Sequence, residues 1–488
     1  MREAVLYNRR TAAWVLVLAM LLSLVAPPVV RAQDEAGDPS AEAGVGDEGE
    51  GEVGAGDAEG PGEEQEEEEE SLLEQWRRTL LYGIDSQVEE LLTVLADNNE
   101  TRLNAEVENL LQTSLNPRLR ASIFEFFTDV DADVAVDEAT EILSSYRDEP
   151  AELVRSSLAY LQNGGFDLPE ETVDVVRPIA ADPRSGHAAR AARVLGLKAG
   201  EGSVEALLAA LDAATDDELR GQIILAFGDL GSPDALDPLL DIASDDGEGR
   251  LIRGYAADSL GRIGDTRALD TLKGMVSAED AVVRGYAVSA LSRFEDPAVA
   301  PTLTAALRDS VARVRQFALQ GVARNGMQDA VPAVIYKAEE DPSEEVRSEA
   351  FETLVQLGGG EARRFVREFV LDADNPMADR RAAVAALIEH DLSGSTGLLE
   401  EVVEMEWEVN RSQVLGFIAR ELSTKEDEAL AGLYDRFLTH PEPAVQIFGL
   451  RGIGTNRILR MKTRVQEKSD EGNHPAVRRN AEAVLERL

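Results

Sequence analysis

The chain has 488 residues, 93 of them acidic against 48 basic, with four histidines, no cysteine and 5% aromatics. Without cysteine there is no disulfide framework, thiolate zinc site, iron–sulfur cluster or cysteine nucleophile. A formal charge of -45 argues against nucleic acid as a partner, because affinity there comes from cations that neutralise phosphates.

The N-terminus is the one basic stretch before the acidic excess begins. Arg2, Arg9, Arg10 and Arg31 face a single acid, Glu3, and the apolar run TAAWVLVLAMLLSLVA lies between Arg10 and Pro27. A basic start, a short apolar run and small residues at Val30 and Ala32 form the pattern of a secretory signal peptide over 1–32. The run is shorter than the ~20 residues a helix needs to cross the hydrocarbon layer, and no later stretch could span a membrane. The expected location is the periplasm or the cell exterior, as a soluble protein.

Residues 33–70 hold 17 acids and nine glycines and no basic residue. Such a segment cannot bury enough apolar surface to offset its ordering entropy, so a solvated, disordered acidic tail is expected. Its role is either a linker or a lure for a basic partner.

Residues 71–488 carry a repeat. Arg253, Arg284, Arg315, Arg347, Arg380 and Arg411 follow one another at steps of 31, 31, 32, 33 and 31 residues. Backward, Arg220, Ala188, Arg155, Arg120 and Gln87 extend the series; forward, Gln446 and Arg478 do. Small or apolar residues follow at +3, +6 and +7, as in Ala256, Ser259 and Leu260 or Ala287, Ala290 and Leu291, which places them on one helical face. Each unit then breaks at a Gly-Asp type turn such as Gly264-Asp265. A second apolar stripe follows, for example Ala268, Leu269, Leu272, Met275 and Val276. Asn116-Pro117, Asp182-Pro183, Asp296-Pro297, Asp341-Pro342 and Asn375-Pro376 suit an N-cap followed by proline at the first helical position. Thirteen two-helix units, the last truncated, fill the region. A length that would suit about three ordinary domains thus holds a single all-α array.

A two-helix unit of this length with Val-Arg-x-x-Ala on its first helix resembles the HEAT repeat family, and most closely the short bacterial subtype named after phycobilisome lyases. The carrying residues are 251–265, 282–296, 314–324 and 346–357. The resemblance implies a right-handed armadillo-like α-solenoid whose second helices line a concave inner face, and a scaffold or adaptor that binds protein along that groove. A helix pair of this size cannot enclose its own apolar face, so neighbours must stack. The repeated arginine is expected to cover apolar surface with its stem and meet acids such as Asp280 or Asp309 with its head. An i,i+4 pair with Asp280 is open to Arg284.

Signals for chemistry are sparse. The histidines are at least 34 residues apart with no ligand partner at i+3 or i+4, so no metal site is expected. Asp129, Asp131 and Asp133 copy the start of a calcium loop, which then fails at Val134 and Thr140, and an inter-helix turn is expected instead. Gly358-Gly359-Gly360 reads as a helix stop. No catalytic residue, cofactor or nucleic-acid partner is expected, and the chain is expected not to be an enzyme. Candidate protein-binding residues are the aromatics Tyr336, Trp407 and Tyr434, near second helices, and Arg457 and Arg460 in a locally basic C-terminal end. The expected function is a non-enzymatic exported scaffold for an unidentified protein partner. The alternative is a lyase-like helper that handles a prosthetic group on another protein.

Overall fold

The computed structural model describes residues 63–198 and 203–488. The expected signal peptide (1–32) and residues 33–62 of the acidic segment lie outside the described residues. Among the described residues every regular element is helical. The helices form two compact units, divided between Leu168 and Pro169. The first unit opens with the helix Glu63–Tyr82 and continues through 85–97, 104–113, 117–129, 136–144 and 151–163. The second runs from Glu170–Ala180 to Pro475–Leu485. Helices that carry the repeated position alternate with the second helices throughout, so the chain is an α-solenoid of two-helix repeats.

One boundary moves. The acidic segment was expected to end at residue 70, yet the helix begins at Glu63. Glutamate is a good helix former, and negative charge is favourable in a first turn, where the peptide dipoles leave a partial positive charge. The glutamate run is therefore compatible with a helix that the packed residues Trp76 and Leu80 anchor.

Local chemistry sets where the helices start and stop. Asp216 accepts a hydrogen bond from the Leu219 amide (2.8 Å) at the start of 217–230, and Asp280 accepts one from Val282 (2.8 Å) at the start of 281–291. Asp280 thus serves as an N-cap, and its other oxygen lies 3.7 Å from Arg250 and not on Arg284, whose guanidinium goes to Asp309 instead. Gly231 and Gly264 end their helices in the left-handed region, at φ 65° and 72°, where a β-carbon would be strained. Asn116 and Asp296 cap as expected before their prolines. At 341–342 and 375–376 the helix starts later instead, at Glu344 and Met377, with Ser343 and Pro376 in the cap position. Asp131 lies in the turn after the helix 117–129, at φ 52°, and accepts from the Gly165 amide.

Each first helix is held by one buried stripe, for example Val314, Ala318, Leu319 and Val322 on Ala312–Arg324. Every fully buried leucine of this kind contributes about 2 kcal/mol relative to exposure. No helix among the described residues is long and apolar enough to cross a membrane.

Candidate protein-binding face

The repeated arginine sits at the fourth position of its helix, and its guanidinium serves two neighbours at once. Arg284 donates to both oxygens of Asp309 (Nε 2.7 Å, Nη2 3.1 Å) and, through Nη1, to the carbonyls of Ala278 and Glu279. Arg315 repeats this with Asp341 (Nε 2.8 Å) and the Asp309 carbonyl (2.9 Å). Arg347 repeats it again with Asp379 (2.9 Å) and the Asp341 carbonyl (3.0 Å). Arg380 donates to the Val370 carbonyl and to Glu406 (2.7 Å). Arg220 pairs with Glu248, and Arg253 with Asp246 and the Ala243 carbonyl. Except at Arg220, each head thus closes the exposed end of the preceding second helix, where carbonyls lack partners. The acid it neutralises follows or ends its own unit's second helix for Arg220, Arg284, Arg315 and Arg380. It lies on the next first helix for Arg347, and follows the preceding second helix for Arg253. Burial raises the Asp309 and Asp341 carboxyls. Arg284 with the Val311 amide, and Arg315 with the Ser343 amide and Lys337, outweigh that and hold both below the ordinary aspartate range.

Arg411 does not belong to this ladder. It lies before the helix Gln413–Leu422, at φ 53°, and its backbone amide donates to Glu442 (2.6 Å). The preceding second helix, Leu392–Glu406, is long, and the turn after it displaces the register, so that Gly416 takes the fourth position.

Successive first helices of the second unit lie extremely close. A β-carbon on Gly196 would stand 2.6 Å from the Ala226 Cα, one on Gly228 2.8 Å from the Ser259 Cα, and one on Gly261 2.8 Å from the Ala290 Cα. Ser259 exploits this approach by donating to the Ile224 carbonyl (2.7 Å) of the neighbouring helix. Second helices meet their neighbours at far fewer points. In a two-layered stack the layer with the shorter spacing lies on the inside of the curve. Within the second unit the first helices therefore form the inner layer, and the expectation that second helices line the concave face is corrected. The physical reason is the glycine and alanine content of the first helices, which lets their backbones approach.

The inner layer presents side chains from positions two, six, nine and thirteen of each helix. At the sixth position stand Tyr255, Tyr286 and Phe317, half-exposed and spaced by 31 residues. Each lies against a glycine of the previous helix: a β-carbon would meet the Tyr255 ring at 3.0 Å from Gly221 and the Tyr286 ring at 2.4 Å from Gly254. Gly285 faces Phe317 at ordinary contact distance. Tyr255 and Tyr286 meet edge to face with centroids 5.9 Å apart, and the Arg313 guanidinium lies 4.5 Å over Phe317. In the thirteenth-position register stand Arg262, Arg293 (two residues past the end of its helix, Ala281–Leu291) and Arg324. Arg262 pairs with Asp229 and Asp258, and Arg293 with Asp258 (2.9 Å). Sequence reasoning missed these six residues, although the same 31-residue step that marked the ladder marks them too.

Further along, the face turns acidic. Glu349 takes the sixth position and Glu352 the ninth; Glu349 accepts from Gln320 (3.0 Å), and His390 lies 3.6 Å from Glu352. Burial raises the Glu349 carboxyl above the ordinary glutamate value.

A family model described as spirochaete HEAT repeat protein matches residues 80–484. The chain belongs to this family. No relative among curated proteins matches it. The solved structures similar to this HEAT repeat protein include the complex of CpcE and CpcF of phycocyanin lyase from Nostoc sp. PCC7120, at 18% identity and TM-score 0.30, over 58% of this chain and 93% of that one. Human deoxyhypusine hydroxylase in complex with glycerol is similar at 19% identity and TM-score 0.26, over 59% and 97%. Kap95p bound to RanGDP is similar at 13% identity and TM-score 0.38, over 82% and 60%.

The five residues expected to bind a partner fall in different settings. Tyr434 is fully buried, and its hydroxyl donates to the Leu422 carbonyl (2.8 Å); burial raises the phenol, and the residue packs the core. Trp407, half-buried, has the Arg436 guanidinium 3.9 Å over its ring and the His440 ring against it at 4.7 Å. Tyr336 is 60% exposed on the second helix Val331–Glu340, in the outer layer. Arg457, at φ 47°, is exposed in the turn after the helix Pro443–Thr455, and Arg460 is exposed in the short 3-10 helix Leu459–Met461 that leads into Lys462–Ser469.

Proposed function

We propose that this HEAT repeat protein is a non-enzymatic, exported scaffold that binds protein through the inner face of its first helices. The observation that carries the reading is a division of labour within each repeat. The fourth-position arginines and the close-packing small residues recur from unit to unit, which is what a stack requires. The inner-face positions six and thirteen keep one character over three repeats, as rings and arginines from Tyr255 and Arg262 to Phe317 and Arg324, and then change, to Glu349 and Gln356 and to Ala382 and Glu389. A surface whose chemistry changes along an otherwise regular stack suits recognition of an extended partner. The most buried ion pairs, Arg315 with Asp341 and Arg380 with Glu406, are committed to holding repeats together, which supports a structural chain. The signal-like pattern over 1–32 supports export.

The test is crosslinking in the cell, followed by recovery of the protein from the envelope fraction, with and without residues 33–70. A defined partner is expected with both forms, together with a mature N-terminus at Gln33 by mass spectrometry. Recovery of no partner with either form would sink the scaffold reading. An N-terminus still carrying residues 1–32 would sink cleavage.

A further inference from the structure

The inner face is not uniform in charge, and a cationic portion of it coincides with its aromatic row. Residues 250–325 contain eleven Lys and Arg against eight Asp and Glu, a balance of +3 in a chain of -45. Within that portion the rings of Tyr255, Tyr286 and Phe317 line the inner layer, each against the neighbouring helix.

The guanidiniums beside the rings are only partly neutralised. Asp229 and Asp258 serve Arg193, Arg262 and Arg293 together, two carboxylates for three cations. Arg313 lies over Phe317 and hydrogen-bonds only to Gln316 among the described residues. Arg324, exposed at the thirteenth position, has no ion-pair or hydrogen-bond partner among the described residues. The anionic groups nearest in the repeat pattern, Glu345, Glu349 and Glu352, belong to the following helix and bound the cationic portion on that side.

We infer that the row Tyr255, Tyr286 and Phe317 with Arg313 and Arg324 is the docking site for a partner segment in which carboxylates alternate with aliphatic side chains. This rests on the scaffold reading and names the chemistry of the partner. The rings offer flat apolar area at little entropic cost, and arginine beside an aromatic is the combination in which binding energy concentrates at protein interfaces. Carboxylates satisfy the free guanidiniums with paired N–H donors. The rings receive the aliphatic side chains, and Arg313 and Arg324, toward opposite ends of the helix Ala312–Arg324 with Phe317 between them, receive the acids. A basic segment would leave Arg324 repelled and uncompensated, so the charge pattern also excludes the wrong partner.

The experiment is fluorescence anisotropy with the full chain and two synthetic peptides of equal length, one alternating glutamate with leucine and one alternating lysine with leucine. The glutamate peptide is expected to bind, and to weaken as salt is raised. Reversing two charges (Arg313→Glu with Arg324→Glu) is expected to weaken it by about tenfold or more, and Arg313→Gln with Arg324→Gln by less. Tyr286→Ala is expected to weaken it as well, while Tyr336→Ala, in the outer layer, leaves it unchanged. Circular dichroism melts matching the parent protein show that each variant is folded. Tighter binding of the lysine peptide, binding of neither, or binding indifferent to the arginine variants would overturn the inference. If neither peptide binds while a partner is still crosslinked in the cell, the scaffold reading stands and only the partner chemistry is wrong.

Discussion

Residues 250–325 and 326–408 are built on the same frame and present opposite surfaces. The first stretch has a balance of +3; the second has 20 acidic residues against seven basic, a balance of -13. Yet one ladder passes through both, from Arg284 and Asp309 through Arg315 and Asp341 to Arg347 and Asp379. The comparison separates what a repeat must keep from what it is free to vary. Buried ladder positions answer to the geometry of stacking and recur, whereas the inner-face positions answer only to solvent or a partner and diverge.

The ladder is where a substitution does the most damage. Asp341→Ala leaves Arg315 buried without its carboxylate and Lys337 without its partner, and removing one member of a buried pair costs about 3–5 kcal/mol. Because repeats are coupled mainly to their neighbours, the loss is expected to be local at first. Hydrogen exchange is the measurement: protection should fall in helices 312–324 and 331–340 while 217–230 and 250–263 keep theirs. Uniform loss over the second unit would show that the two stretches are one cooperative block, and would break the comparison.

Next in size is the close approach of the inner layer. Gly261→Ala drives a β-carbon to 2.8 Å from Ala290, against backbone rather than a mobile side-chain end, whereas a β-carbon on Gly274, in the second helix 269–275, meets nothing within 4 Å. The expected signs are opposite. Gly261→Ala destabilises by about 1–3 kcal/mol, and Gly274→Ala stabilises by up to about 1 kcal/mol through the better helix propensity of alanine. Thermal melts of the two variants decide it. Equal effects of one sign would remove the evidence that first helices form the tighter layer.

Much of this was legible in sequence because the ladder arginine recurs at a near-constant step, and the family model agrees with the resemblance that step suggested. The register failed at Arg411 because the long helix 392–406 and its turn added residues that a constant step cannot see. Which layer is inner was not legible, since it depends on how closely backbones pack and not on the order of helices. Tyr434 could not be told from a recognition residue by its position alone: its hydroxyl needs a buried carbonyl, that of Leu422, which only the fold supplies. Tyr255, Tyr286 and Phe317 carried the same spacing signal as the arginines, but a ring at helical spacing ordinarily reads as core.

The pH response sharpens the comparison with a sign. Asp309, in the cationic stretch, and Asp341, in the acidic one but paired with Arg315 of the cationic one, have lowered pKa values, so the stability they contribute is present above the unfolded aspartate value and is lost as pH falls through the lower folded value. The urea midpoint of helices 281–324 should therefore hold from neutral pH down to about pH 4 and fall below it. Local hydrogen exchange resolves the response of those helices.

Glu349, in the acidic stretch, behaves in the opposite sense. Burial raises its carboxyl, with Glu352 adding repulsion and Gln320, Arg313 and His390 working against the shift. A group whose folded pKa lies above its unfolded value contributes stability at low pH and loses it as pH rises through the folded value. Glu349→Gln removes the charge while its amide oxygen can still accept from Gln320. At neutral pH this variant should be more stable than the parent by a few tenths of a kcal/mol, and the advantage should vanish as pH drops below the ordinary glutamate range, where the parent is itself protonated. An advantage that persists in acid would assign the effect to packing. A loss of stability at neutral pH would mean that the Glu349 carboxylate is held by cations of this face, and that the acidic stretch is less strained than its charge implies.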